Sequence, residues 1–159
     1  MNDDPNASER LERLLDSADI ASLINRLGAV LDEGPIDEMR RLFVDRATAR
    51  TPGGLAEGIE AMIAQAARNH PAGATIQHVI TNVEIDVQGD HATARANLIA
   101  HFVDGAAGGP PRQAPPPRYT VGEVYHFEAE RTPGGWRLSS VEANPRWSVG
   151  ERLPVAPIA

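Results

Sequence analysis

At 159 residues the chain has the length of one domain and enough material for one buried core. It contains no cysteine, which removes disulfides, thiolate zinc sites and a cysteine nucleophile and fits a reducing, cytoplasmic setting. A net charge of −7 without a Lys/Arg cluster excludes the basic face that nucleic acid requires. That acidity, with no apolar run near ~20 residues, also argues against a membrane partner.

Residues 1–15 are polar and charged, and the first of them lack the apolar stretch of a signal peptide. They read as a flexible segment, with Leu11, Leu14 and Leu15 giving a short amphipathic hint. Asp16 to Asp19 offer caps. Ile20, Leu23, Ile24, Leu27, Val30 and Leu31 then recur at helical spacing, and Gly34-Pro35 ends that amphipathic helix. A second short helix is predicted over 36–43 and a short strand over 47–51. After the turn Pro52-Gly53-Gly54, a helix over 55–69 carries Ile59, Met62, Ile63 and Ala66 on one face and stops before Pro71.

From Thr75 the period changes to two. Strands over 75–88 and 91–103 are joined at Gly89-Asp90, a two-residue hairpin signal. Residues 104–118 are dominated by glycine and proline and read as a loop, either a lid or an insertion. Strands over 119–131 and 136–147 form a second hairpin, and 149–159 read as a tail. Helices first and a strand meander after them predict one α+β domain over 16–148. Its expected shape is a cone-like roll, with N-terminal helices packed on a curved, mostly antiparallel sheet that encloses a pocket.

The hairpin sets a register. If Gln88 faces His91 and the pairing runs on uninterrupted, His78 stands opposite His101 and Asn82 opposite Asn97, beside Ile76, Ile80 and Ile99. Val79, Val83, Ile85, Leu98 and Phe102 then share the other face. With both faces partly apolar, one is expected to line a pocket and the other to pack elsewhere, as in a homodimer. A one-residue slip would send the two histidines to opposite faces. A strand histidine alone is commonly a hydrogen-bonded structural residue; two facing each other with amides beside them strengthen a functional reading. His70, His91 and His126 read as surface or structural residues, His70 as a helix cap.

Three segments carry a family resemblance: Ala29-Val30-Leu31-Asp32-Glu33-Gly34-Pro35-Ile36-Asp37 with Met39-Arg40-Arg41-Leu42-Phe43, Ile76-Gln77-His78-Val79-Ile80-Thr81-Asn82, and Gly135-Trp136-Arg137-Leu138 with Asn144-Pro145-Arg146-Trp147. Together they resemble the SnoaL-like branch of the nuclear-transport-factor-2-like superfamily over about residues 17–148, with scytalone dehydratases as the nearest pattern. The resemblance implies a catalytic Asp32, a first catalytic histidine at His78 and a second at His101. It also suggests a polar pocket residue at Asn144. The tyrosines that precede the aspartate in those dehydratases are missing here, where Gly28 and Leu31 stand. The helical pattern alone makes Asp32 a solvated carboxylate, so its place in the pocket rests on the likeness.

The expected chemistry is cofactor-free acid/base catalysis on a small, largely apolar molecule such as a polyketide, terpenoid or steroid-like metabolite, by dehydration, isomerisation or cyclisation. His78 would move the proton, Asp32 orient it and His101 act as second carrier, with Asn82, Asn97, Asn144 and Tyr125 as candidate substrate contacts. The rival reading is a non-catalytic small-molecule-binding or dimeric assembly module. A two-histidine, one-carboxylate iron site from His78, His101 and a carboxylate is a third, without a close-spaced ligand motif behind it.

Overall fold

The computed structural model describes residues 5–70, 75–103 and 115–152. In chain order they form α1 (Pro5–Glu33), a 3-10 helix (Ile36–Arg41), β1 (Phe43–Thr51), β2 (Gly54–Glu57), α2 (Ile59–Asn69), β3 (Thr75–Gln88), β4 (His91–Val103), β5 (Tyr119–Thr132) and β6 (Gly135–Gly150). The strands make one six-stranded sheet in the order β2-β1-β6-β5-β4-β3. Only β1 beside β6 is parallel. The α+β roll expected from the sequence is the fold observed. Most of the loop expected over 104–118, the segment 71–74 and the tail from 153 lie outside the described residues.

The apolar stripe of α1 is the centre of the core. Ile20 and Ile24 are fully buried and Leu23 and Leu27 nearly so. They meet Ala92, Ala94 and Ala96 of β4, Phe127 of β5 and Leu138 of β6 in one cluster. Small alanines on β4 let the helix lie close to the sheet, and each buried Ile or Leu contributes about 1.5–3 kcal/mol. Asp16 fixes the middle of α1: it accepts from the Trp136 indole at 3.0 Å and binds Arg131 through both carboxylate oxygens. The Arg131 guanidinium also lies 4.6 Å from the Trp136 ring centre. The helix begins at Pro5 rather than at Asp16, yet Leu11, Leu14 and Leu15 are all more than half exposed, so that first part has no packing partner among the described residues.

The hairpin register is the main correction. From Gln88↔His91 to Glu84↔Arg95 the pairing is the expected one. It then slips by one residue, so that Thr81 pairs with Asn97, His78 with Ala100 and Gln77 with His101. Asn82 and Val83 together oppose Ala96, a β-bulge, and Asn82 takes the left-handed φ of +52° that asparagine tolerates better than most residues. Val83, Ile85 and Val87 therefore face inward on the turn side of the bulge, and Ile80, His78 and Ile76 on the far side. The expected facing pairs, His78 with His101 and Asn82 with Asn97, do not form.

Candidate functional site

Asp32 reaches the sheet because α1 runs against β3 at close range. A Cβ on Gly28 would lie 3.0 Å from Ile80 Cδ1, so a glycine lets the helix approach. Four residues up a helix advance about 6 Å and two residues along a strand about 6.8 Å. The contact of Gly28 with Ile80 is therefore followed by that of Asp32 with His78. The Asp32 carboxylate accepts the His78 backbone N–H at 2.8 and 3.1 Å and stands 2.6 Å from His78 Nδ1.

A carboxylate oxygen accepts, so Nδ1 holds the ring proton and Nε2 is left with a lone pair. The His78 side chain is only 7 % exposed and that of Asp32 20 %. Burial pushes the His78 imidazole below its usual range, and neighbouring His70 acts in the same direction. Asp32 opposes both, without cancelling them. At neutral pH the pair is a neutral imidazole beside a carboxylate.

His78 lines a cavity of about 140 Å³ between the helices and the concave face of the sheet. One water needs roughly 10–15 Å³, so the space takes a small organic molecule. Its walls are mainly apolar: Leu27 and Leu31 of α1, Met39 of the 3-10 helix and Met62 of α2 line it together with Ile76, Phe102, Val121 and Val141 of the sheet. Polar groups at the wall include Gln65, Asn69, His70, Tyr119, Glu123, Tyr125 and Arg152.

Of these the sequence reading singled out Tyr125 alone. His70 does cap α2, its Nδ1 lying 2.6 Å from Ala66 O, but its ring also stacks 6.4 Å from that of His78. Its Nε2 is the one buried side-chain polar atom without a hydrogen-bond partner among the described residues. Glu123 sits in the otherwise apolar inner series Val121, Glu123, Tyr125, Phe127 of β5. A charge inside a period-two apolar run was the signal that could have found it. Burial raises its carboxyl above the ordinary range, against the pull of a hydrogen bond from Tyr125 and of Arg152. Tyr125 is itself buried and its hydroxyl is held protonated. Arg152 falls in the stretch expected to be tail.

His78 and Tyr125 thus line one cavity, with Asp32 bound to His78 beside it, and the other candidates are not brought there. Beyond the bulge His101 faces away from the cavity, with Nδ1 3.0 Å from Thr120 Oγ1. Asn97 accepts from Arg95 at 2.8 Å, Asn82 is exposed in the bulge, and Asn144 pairs with Val124 on the outer face. An iron site built on His78 and His101 fails on the same geometry, since the two rings lie on opposite faces of the sheet.

The fold has many relatives among solved structures. A protein of Kribbella flavida is 26% identical with a TM-score of 0.74, over 86% of this chain and 95% of its own. A scytalone dehydratase-like protein of Novosphingobium aromaticivorans is 17% identical, TM-score 0.73, over 94% and 95%. A hexachlorocyclohexane dehydrochlorinase is 20% identical, TM-score 0.73, over 93% and 97%. At such identities the latter two share the fold alone. No curated protein matches the chain. The SnoaL-like domain model matches residues 12–142, from the first turns of α1 to β6, and the chain belongs to the SnoaL-like domain family.

Proposed function

We propose that the protein is an acid/base enzyme that needs no cofactor and acts on a small, largely apolar molecule as a dehydratase, isomerase or cyclase. The observation that carries this reading is the Asp32–His78 pair at the wall of the cavity. A neutral imidazole with its Nδ1 proton committed to a carboxylate presents Nε2 as a base, and the carboxylate stabilises the imidazolium that forms. His101 has no part in it. The dehydratase-like and dehydrochlorinase neighbours support proton abstraction followed by departure of a leaving group, as far as a shared fold can.

The test uses a probe with acidic C–H bonds. In deuterated buffer, 4-phenylbutan-2-one should exchange the protons next to its carbonyl faster with the protein than without it. His78→Ala should lose that acceleration by at least about 100-fold, the lower end of a general base's contribution. Binding of the ketone with unchanged affinity and no exchange by either protein would favour a binding module instead. The reading extends to two copies meeting through the outer sheet face, where Val79, Trp147 and Val149 are exposed.

A further inference from the structure

The geometry points to Glu123 as a second proton carrier on the cavity-lining sheet face that also carries His78, two strands away, and to β-elimination of water from a hydroxy-carbonyl compound as the reaction the two carry out. The inference rests on the proposed base role of His78. It deepens that role by supplying the group that a lone base lacks.

The placement follows from the ladder. His78 pairs with Ala100, Ala100 with Val121, and Glu123 is two residues beyond Val121 on the same face. Two strand spacings of about 4.8 Å and one two-residue step of about 6.8 Å set the two backbones about 12 Å apart. Side chains reaching inward from both leave room for a flat molecule between them. On the strands beside it Glu123 meets Leu98 of β4 and Pro145 of β6, neither of them charged. The titratable and charged groups that act on it are Tyr125 on its own strand and Arg152.

Burial favours the protonated carboxyl, which is then a donor. Tyr125 answers the other half of the cycle, because its hydroxyl donates to the carboxylate that remains once the proton has left. The two titratable groups are thus pushed in opposite senses: His78 towards the neutral base, Glu123 towards the neutral acid. Such a divergence marks acid and base assignments.

The step balances. His78 Nε2 takes a proton from the carbon beside the carbonyl, and that C–H pair becomes the new C=C bond. The C–O bond breaks, and the departing oxygen takes the Glu123 proton and leaves as water. His78 returns its proton to solvent and Glu123 regains one from it.

Two measurements test this. With 4-hydroxy-4-phenylbutan-2-one, wild-type protein should both exchange the protons beside the carbonyl and form the conjugated enone, read by its ultraviolet absorbance. Glu123→Gln should lower the ratio of enone formation to exchange by at least about 100-fold, whereas His78→Ala should lose both. Equal loss of both activities in a folded Glu123→Gln, or loss of neither, overturns the assignment. Absence of exchange by the wild type overturns the base reading and this one with it. Independently, carbon-13 NMR of the Glu123 carboxyl should show it titrating above ordinary glutamates, with the resonance assigned by its absence in Glu123→Gln. An ordinary titration removes Glu123 as donor and leaves the His78 reading standing.

Discussion

At the residue scale, the site depends on how one imidazole is held. His78 is buried, its Nδ1 and backbone N–H are both bound to one carboxylate, and its ring is kept neutral. Because its value is lowered in the fold, the unfolded chain binds the proton more readily. Stability from this group is therefore present above about pH 6.5 and is lost as pH falls below it. Thermal unfolding followed between pH 7.5 and 5.5 should show the midpoint of the wild type falling, and His78→Gln should flatten that part of the curve. An unchanged slope in the variant would mean that His78 is not the group concerned.

His78 was legible in the sequence as a strand histidine, whereas its partner was not. Asp32 looked solvated because it was measured against the stripe of leucines. It lies on the neighbouring line Ile20, Ile24, Gly28, Asp32, whose third member has no side chain to advertise a contact. Glu123 was hidden differently: it was legible in the alternation of β5, but a strand meander draws attention to its turns and histidines first.

Among the elements, the approach of α1 to β3 is what turns an aspartate and a histidine into a pair. Gly28 sets that approach, with 3.0 Å between its missing Cβ and Ile80. Gly28→Leu should force the helix outward, cost about 1–3 kcal/mol in chemical denaturation, and move the His78 Nδ1–H resonance towards that of a free imidazole. Ala29→Leu, at the next and exposed position, should do neither.

Most elements were readable because each has a period and a punctuation, from Gly34-Pro35 to Gly89-Asp90, but β2 (Gly54–Glu57) stands where the start of the helix over 55–69 was expected. The bulge was not. Nothing in Thr81-Asn82-Val83-Glu84 departs from a strand pattern enough to announce an extra residue, and that one residue turned His78 into the cavity while His101 and Asn97, on the uninterrupted β4, stayed on the outer face. Local turn chemistry fixed the first pairs of the hairpin correctly, and tertiary packing decided the rest.

Taken whole, the molecule has two sheet faces with different fates. The concave one is filled by α1 and the cavity. The outer one exposes Val79, Trp147 and Val149, and Trp147 covers Gly122 so closely that a Cβ there would lie 2.2 Å from its ring. If two copies pair through this face, light scattering on the purified protein should give twice the mass of one chain. Val79→Lys with Val149→Lys should return it to one. A wild type that stays at one chain mass when concentrated would remove the pairing. Among the described residues no helix is long and apolar enough to cross a membrane.

The bulge at Asn82 and Val83 also divides the first hairpin into two phases. On the turn side, inward positions of β3 are odd-numbered; on the cavity side they are even-numbered. A relative of the same length that paired straight through this point would keep the same strands, neighbours and topology, yet present Gln77 and Val79 to the cavity and leave its histidine in the solvent. Loss of residue 82 alone would instead remove the bulge and keep the histidine inward. Length changes at Gly89-Asp90 are absorbed by the turn and leave the dyad where it is. Within this hairpin, then, a gap at residue 82 or at the turn leaves the dyad in place, and a one-residue gap between His78 and the bulge would turn the histidine out.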